Sequence, residues 1–314
     1  MRLKKIMLYS SIVAAAAVAL TTSPMLGEMI ATTAPFGMGL SGLKHGWLSA
    51  SPGLDLDYEN VAFPTSDGLT LRGWFFPAED PTAPAILYAP ATAHDQRQGL
   101  SLVTPLHQGG YHVLLFSYRG QGSSDGNRFN FSYGARESYD IDAAVRYLSE
   151  TRGLQKIGAI GHSAGAVSII LSAARNPSLD AIVAAAPYTT LADIWQHNRP
   201  AFFPQVLYNL QLRLFELRKN FSRNQVRPLD VIAQIAPRPV MLVHGLADER
   251  ITIEQADSLY QAADYPKHRI WLPTATHAQV RSPGLDSLSS QIIRFFDESL
   301  RNRQVAGSWP SLNP

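Results

Sequence analysis

The sequence contains no cysteine and no marked excess of charge of either sign. Its 314 residues include 27 lysines and arginines and 25 aspartates and glutamates, which gives a net charge of +2. Without cysteine there is no disulfide, no thiolate metal site and no cysteine nucleophile. The near balance of charge gives no broad electrostatic case for nucleic acid. We therefore expect no nucleic-acid partner.

Glycine loops that cradle phosphates, clustered metal-ligand spacings and internal repeats are also missing from the sequence. We therefore predict neither a cofactor nor a metal. What is present in quantity is apolar residues, which make up 46% of the chain. This amount is ample for a sizeable core, and the length suits one large domain or two small ones.

The N-terminus has the layout of a targeting segment. A basic start, Met1–Lys5, is followed by the almost wholly apolar run Ile6–Leu20. We interpret residues 1–34 as a signal peptide or an uncleaved membrane anchor, with membrane association through residues 6–30 in the second case. Ile6–Leu20 alone is short for a span, and Glu28 would be costly in hydrocarbon. Both interpretations place the remaining chain outside the cytoplasm.

Residues 35–56 are interpreted as a linker because glycine, serine, threonine and proline are frequent there. The folded domain is expected over residues 57–314. It begins with two short apolar runs around Asp67-Gly68, which predict an antiparallel hairpin. Further strands are predicted, in alternation with helices, at 85–89, 112–118, 155–161, 181–186, 240–243 and 269–272. Such alternation predicts a mostly parallel sheet covered on both faces.

A strand and a helix are joined at Gly161-His162-Ser163-Ala164-Gly165. This is the G-x-S-x-G pattern of a nucleophile elbow, in which a strained turn exposes the serine hydroxyl. The alternative is a glycine turn that merely contains a serine. The strand before it and the helix after it favour Ser163 as a nucleophile.

At this point the order of elements resembles an α/β-hydrolase over roughly residues 57–301, closest to the Bem46-like or S33 serine aminopeptidase-like group. The matching segments are Phe63–Leu69, Trp74-Phe75, Ser117–Ser124 and the elbow. The resemblance implies an eight-stranded, mostly parallel sheet with helices on both faces and a short cap insertion, here about residues 187–237.

In such a fold the acid follows a late strand, and the histidine comes after the acid. Asp248 lies just past the predicted strand at 240–243, and His277 lies just past the next one. We predict His277 as the general base and Asp248 as its orienting acid. The competitors are His244 and His162 for the base, and Glu249 and Asp193 for the acid. A loop histidine can also be a merely solvated residue.

The resemblance also implies an oxyanion hole formed by backbone amides. Relatives carry His-Gly after the third strand, whereas this chain has Pro90 and Ala91 there. Proline has no N–H to donate. The expected donors are therefore the amides of Thr92 and of Ala164, the residue after the nucleophile.

The cap segment contains an apolar stripe at helical spacing, formed by Phe203, Val206, Leu207, Leu210, Leu214 and Leu217. This stripe either covers the edge of the sheet or, with Trp195 and Phe202, roofs a substrate pocket that Leu207 also lines. Basic residues outnumber acidic ones in the segment. A basic rim suits lipid-like or anionic substrates, although a solvated charged face is the commoner meaning of such a run.

Together these patterns predict a serine hydrolase that cleaves an ester, thioester or amide through an acyl-enzyme. A carboxylesterase-type activity on a small-molecule or lipid-like acyl substrate is favoured. The alternatives are an acyltransferase, an aminopeptidase-like amidase and a non-catalytic binding protein on the same fold.

Overall fold

The computed structural model describes residues 53–199, 201, 203–281 and 286–301. The predicted signal or anchor lies outside the described residues, as do the linker before residue 53 and Phe202. Among the described residues, no helix is both long enough and apolar enough to span a bilayer.

The described chain forms one eight-stranded sheet in the order β1-β2-β4-β3-β5-β6-β7-β8. The first two strands pair antiparallel, β2 pairs antiparallel with β4, and all other neighbours are parallel. This confirms the predicted mostly parallel sheet. The strands are β1 (Glu59–Pro64), β2 (Thr70–Phe76), β3 (Ala85–Ala89), β4 (His112–Ser117), β5 (Ile157–His162), β6 (Ala181–Ala185), β7 (Val240–Gly245) and β8 (Lys267–Leu272).

Helices cover both faces of this sheet. In the described part of the chain they are α1 (Leu100–Gln108), α2 (Glu137–Arg146), α3 (Ala164–Arg175), α4 (Leu191–His197), α5 (Gln205–Lys219), α6 (Pro228–Val231), α7 (Ile253–Ala262) and α8 (Asp286–Leu300). Residues of α1 and α8 belong to one hydrophobic cluster, and residues of α2, α3, α4, α5 and α7 belong to the other. Along β3, Leu87 faces one cluster while Ile86 and Tyr88 face the other. The inner strands therefore read as unbroken apolar runs.

Helix α5 lies within the predicted cap, but the face that it buries is not the predicted one. Its buried side chains include Tyr208, Leu212 and Phe215. The stripe that was expected to cover the sheet or roof a pocket faces outward, with Val206 78% and Leu217 77% exposed. The helix has two apolar faces. The face with the rings of Tyr208 and Phe215 buries more apolar area than the aliphatic stripe would, so it turns inward. On the same face, Tyr208 also donates a hydrogen bond to the Trp195 carbonyl (2.7 Å).

Parallel pairing brings the carboxyl ends of β5, β7 and β8 to the same edge of the sheet. Of the three predicted catalytic residues, Ser163 follows β5 directly, and Asp248 and His277 lie in the loops after β7 and β8. The topology thus decides where any chemistry based on them takes place.

Candidate active site

Ser163 lies at the junction between β5 and α3. Its backbone has φ 56° and ψ −119°, a conformation that non-glycine residues rarely adopt. The turn is held because the Ser163 amide donates to the Ala185 carbonyl (2.8 Å) and the Ser163 carbonyl accepts from Val167 (3.0 Å). The Ser163 side chain makes no capping bond to α3. The strained turn therefore presents a partly exposed hydroxyl at the sheet edge.

Gly165 shows why the elbow needs glycine. A Cβ atom on this residue would lie 2.1 Å from the Ala89 carbonyl oxygen. That contact is between backbones, so no side-chain rotation relieves it. The first turn of α3 thereby packs directly against the end of β3, and its amides lie beside Ser163.

His277 and Asp248 are in direct contact. The distance from Nδ1 of His277 to Oδ2 of Asp248 is 2.7 Å. Asp248 follows β7, and its side chain has no exposed surface, whereas the His277 side chain is 15% exposed. The other carboxylate oxygen, Oδ1, accepts from the amides of Arg250 and Ile251, each at 2.9 Å. The carboxylate is thus fixed by its own loop and directed at the imidazole.

The surroundings of Asp248 keep it ionised. Burial by itself would raise the pKa of this carboxyl. The hydrogen bond and charge of His277, with the Ile251 amide, outweigh burial and hold the pKa below its ordinary value. Asp248 is therefore a carboxylate at neutral pH. As an acceptor, it sets the tautomer of His277 with the proton on Nδ1, which leaves Nε2 able to accept one.

Two backbone contacts hold the His277 loop. The Ala247 amide donates to the Ala275 carbonyl (3.2 Å). The His162 ring lies 2.9 Å from the His277 carbonyl through Nε2, which must donate because a carbonyl only accepts. The two imidazole rings are 4.9 Å apart. The sequence analysis offered His162 only as a competitor for the base. Its contact with the loop of the predicted base has no local sequence signal, because it spans 115 residues.

The competing residues have other partners. His244 is fully buried and donates from Nε2 to the Ile251 carbonyl (2.8 Å), and burial lowers the pKa of its imidazole. His244 therefore supports the loop that carries Asp248. Asp193 accepts from the Thr189 hydroxyl (2.9 Å) in the first turn of α4. Glu249 is an exposed residue, and its backbone carbonyl, not its carboxylate, accepts from the ring of His197 (3.0 Å).

The loop after β3 is a tight turn in which Ala93 has φ 60°. The Ala91 amide donates to Oε1 of Gln98 (2.6 Å), and the Thr92 carbonyl accepts from Nδ1 of His94 (2.8 Å). The Ala91 amide is thus already engaged. The next amide along the chain, that of Thr92, remains our expected partner for Ala164.

The predicted pocket residues need correction. Trp195 is only 1% exposed and packs edge-on against Tyr133 and Phe215, so it belongs to the core. Leu207 is 41% exposed on the outer side of α5. Trp195 is therefore part of the core and Leu207 lies on the outer surface, and neither lines the cavity found among the described residues. A small cavity lies instead beneath the elbow, lined by His162 together with Tyr88, Ile160, Val183, Val243 and Ile292.

Arg119 is a structural residue. It donates from Nη2 and Nε to the buried Asp140 (2.7 and 2.9 Å) and from Nη1 to Asp67 (2.7 Å). Its guanidinium is thereby committed to joining the loop after β4 to α2 and the hairpin. As for metals, the described residues contain no group of three or more carboxylate or histidine side chains placed to hold an ion.

Residues 99–302 match the prolyl oligopeptidase family. Among curated proteins, the uncharacterized protein Rv2307c of Mycobacterium tuberculosis is 30% identical over 222 residues, which cover 69% of this chain and 72% of the relative. The α/β-hydrolase domain-containing protein WAV2 of Arabidopsis thaliana is 27% identical over 233 residues, 71% of this chain and 72% of that protein.

Solved structures show the same fold. The Pyrococcus furiosus esterase Pf2001 superposes with a TM-score of 0.66 at 21% identity, covering 80% of this chain and 96% of its own. A 2,6-dihydroxy-pseudo-oxynicotine hydrolase gives a TM-score of 0.66 at 17% identity, covering 85% of this chain and 75% of its own. These likenesses confirm the α/β-hydrolase fold, whereas the Bem46-like subgroup stays a prediction.

Proposed function

This chain belongs to the prolyl oligopeptidase family, and from that premise we propose that it is a serine hydrolase that cleaves carboxylic esters through an acyl-enzyme. The observation that carries the proposal is the 2.7 Å contact between His277 and the buried Asp248. It lies at the sheet edge where the strained Ser163 turn ends β5. A histidine oriented by an acid, at the same sheet edge as a partly exposed serine, has the parts that nucleophilic acyl transfer requires.

In the proposed reaction, Oγ of Ser163 attacks the ester carbonyl carbon while Nε2 of His277 takes the hydroxyl proton. The carbonyl oxygen becomes an oxyanion that accepts from the amides of Ala164 and Thr92. Collapse of this intermediate breaks the bond to the alcohol, which leaves with the proton from His277. Water then attacks the acyl-enzyme, His277 takes its proton and returns it to Ser163, and the acid is released.

The buried Asp248 supports the charge that His277 acquires in each step. Because Oδ1 is held by two amides, Oδ2 stays directed at Nδ1 and stabilises the imidazolium without taking its proton. The ring of His162 donates a hydrogen bond to the backbone carbonyl of His277. The imidazole is therefore fixed from its ring and from its main chain, which lowers the reorganisation needed during reaction.

A second candidate is hydrolysis of an amide or peptide bond. It is favoured by the family match, because that family is named for a peptidase. The same residues would serve, with an amine as the leaving group that receives the proton from His277. Esters remain the first choice, because Pf2001, a protein of the same fold, is an esterase.

The test combines a fluorophosphonate probe with p-nitrophenyl esters and aminoacyl p-nitroanilides. We expect labelling and ester turnover in the wild type, and a loss of roughly 10⁶-fold in kcat for Ser163→Ala. Ser178→Ala is the matched control, since Ser178 is an exposed serine away from the elbow. His277→Ala is expected to be nearly as damaging, and the double variant scarcely worse, because the residues act as a unit.

The outcomes separate the alternatives. Turnover of anilides in preference to esters would favour the amidase. Labelling with turnover only when an alcohol or amine acceptor is supplied would indicate an acyltransferase. Labelling that persists in Ser163→Ala would contradict the assignment of the nucleophile, and no labelling of the folded wild type would favour a binding protein.

A further inference from the structure

The loop after β3 is held at three successive peptide units. In the first unit, the Ala91 amide donates to Oε1 of Gln98 (2.6 Å). In the second, the Ala91 carbonyl accepts from the His94 amide (3.2 Å). In the third, the Thr92 carbonyl accepts from Nδ1 of His94 (2.8 Å). Each of the three units can therefore turn only if a hydrogen bond breaks.

This loop lies directly against the elbow. A Cβ atom on Gly165 would lie 2.1 Å from the Ala89 carbonyl oxygen and 2.6 Å from that of Pro90, so the Pro90 carbonyl faces the first turn of α3. The peptide bond between Pro90 and Ala91 is trans. The carbonyl and the N–H of a trans unit point in opposite directions, and the Ala91 N–H therefore points away from α3. Gln98 thus holds the loop from the side opposite the elbow.

The direction of the Thr92 amide follows from the same rule. The Thr92 N–H and the Ala91 carbonyl belong to one peptide unit, and that carbonyl points toward the His94 amide. The Thr92 N–H therefore points out of the turn, away from the His94 amide. The units on either side are held by Gln98 and by the His94 ring. These neighbours fix the direction in which Thr92 can donate.

The contact with Ala91 also determines how the Gln98 side chain is oriented. Its amide nitrogen, Nε2, is buried and makes no hydrogen bond to any residue that the structure describes. The two ends of the side-chain amide cannot exchange places, because the Ala91 N–H must face an acceptor and only Oε1 accepts. A buried donor left unsatisfied costs about 1–3 kcal/mol. The contact with the loop, rather than a bond at Nε2, is therefore what orients this glutamine.

The segment that carries Gln98 is fixed to the sheet. It is a short 3₁₀ helix, Gln96–Gly99, whose first amide donates to Oγ of Ser117 at the end of β4 (3.2 Å). Asp95 caps this helix by accepting from the Arg97 amide (3.0 Å). A side chain that holds a catalytic loop needs such a rigid support.

We propose that Gln98 is a positioning residue for the oxyanion hole. Its Oε1 holds the Ala91 amide and thereby fixes the direction in which the Thr92 amide donates to the oxyanion, an inference that rests on the proposed function. Preorganised donors act mainly on the transition state, because the charge on the oxygen develops only during the reaction. Loss of a whole oxyanion donor lowers kcat by about 10²–10³-fold, so loss of its orientation should cost somewhat less.

The test compares Gln98→Met with Arg97→Met in the full-length protein. Methionine has a similar reach to glutamine but lacks the acceptor oxygen. Arg97 is the matched control, because it lies in the same 3₁₀ helix and its side chain pairs with Asp95 rather than with the loop. Turnover of a p-nitrophenyl ester is expressed per serine labelled by a fluorophosphonate. We expect Gln98→Met to lower kcat roughly 10- to 100-fold with KM unchanged, and Arg97→Met to stay near the wild type.

A trifluoromethyl ketone with the acyl group of the same ester gives a second measurement. The serine adds to its carbonyl carbon, and the carbonyl oxygen becomes an oxyanion like that of the transition state. In Gln98→Met, its inhibition constant should rise by the same factor by which kcat/KM falls. The pH at which kcat/KM rises should not change, because the proposed base is untouched. An unchanged inhibition constant beside a lowered kcat would overturn the proposal.

Hydrogen exchange tests the contact itself, independently of any activity. The Ala91 amide should exchange slowly in the wild type and in Arg97→Met, and faster in Gln98→Met. Gln98→Glu retains an acceptor of the same reach, so it should keep the amide protected. Equal exchange in the wild type and Gln98→Met would show that the side-chain oxygen does not hold the loop.

The outcomes separate this inference from the proposed function. A folded wild type with neither labelling nor ester turnover would refute the proposed function and this inference with it. An active wild type whose kcat is unchanged in Gln98→Met would refute the inference alone. Equal losses of kcat in Gln98→Met and Arg97→Met would show that the stability of the 3₁₀ helix, and not the contact with Ala91, controls the rate.

Discussion

Gly245→Ala tests how the loops of Asp248 and His277 are held together. Gly245 ends β7, three residues before Asp248. A Cβ atom there would lie 2.0 Å from the Ala275 carbonyl oxygen, and real Cβ contacts are essentially never closer than 3.0 Å. The loop that leads to His277 must therefore move by about 1 Å. The Ala247–Ala275 hydrogen bond, 3.2 Å long, spans the same gap and would be lost or lengthened.

A shift of this size matters more for catalysis than for folding. Misplacing a catalytic group by about 1 Å can lower the rate roughly 100-fold, equivalent to about 2.7 kcal/mol of transition-state stabilisation. We therefore expect kcat on a p-nitrophenyl ester to fall about 100-fold. KM should change little, because the displaced group is the proposed base rather than a binding residue.

Gly158→Ala is the matched control. Gly158 lies near the start of β5, at the far end of the strand from Ser163, and its added Cβ would lie 2.6 Å from a Phe296 ring carbon. The overpacking should lower the free energy of unfolding by about 1–3 kcal/mol, and with it the melting temperature. The kcat value should stay near that of the wild type. If Gly245→Ala stays folded and retains wild-type kcat, the coupling between the two loops is not what positions His277. An equal loss of kcat in Gly158→Ala would mean that general destabilisation explains both.

Two further predictions concern stability. Burial lowers the pKa of His112 and His244, and Nδ1 of His112 accepts from the Ala78 amide. Below about pH 6.5, the ordinary pKa of histidine, the unfolded chain binds protons at these two residues that the native state does not bind. The free energy of unfolding should therefore fall with decreasing pH, by up to about 1.4 kcal/mol per pH unit for each histidine. Urea midpoints at pH 8, 6.5 and 5 measure this, and a flat profile would contradict it. Asp140→Asn leaves the half-buried Arg119 guanidinium beside a neutral amide. This change should lower the free energy of unfolding by about 3 kcal/mol. Asp67 is the other partner of this arginine, and its side chain is 52% exposed. Asp67→Asn should therefore lower the free energy of unfolding by less than about 1 kcal/mol. Chemical denaturation of both variants checks this pair, and equal losses would refute the distinction.

The strands and the elbow could be predicted from the sequence because their signals are local. A strand buried on both faces must be apolar throughout, so β3 was predicted at its observed bounds. The order Ser163, Asp248, His277 follows from strand ends that parallel pairing must bring together. Topology alone therefore makes His277 and Asp248 neighbours before any side chain is placed.

The contacts decided by competition between distant surfaces could not be predicted in this way. The spacing along α5 fits burial of either apolar face, and only packing against Trp195 and Phe221 selects the face with Tyr208 and Phe215. Likewise Arg119 offers the same donors to a substrate or to a carboxylate until α2 brings Asp140 against it. A sequence specifies which groups a segment carries, and local periodicity specifies which of them share a face. Which face is buried depends on the area and hydrogen bonds that the rest of the fold offers, and those exist only in the tertiary structure.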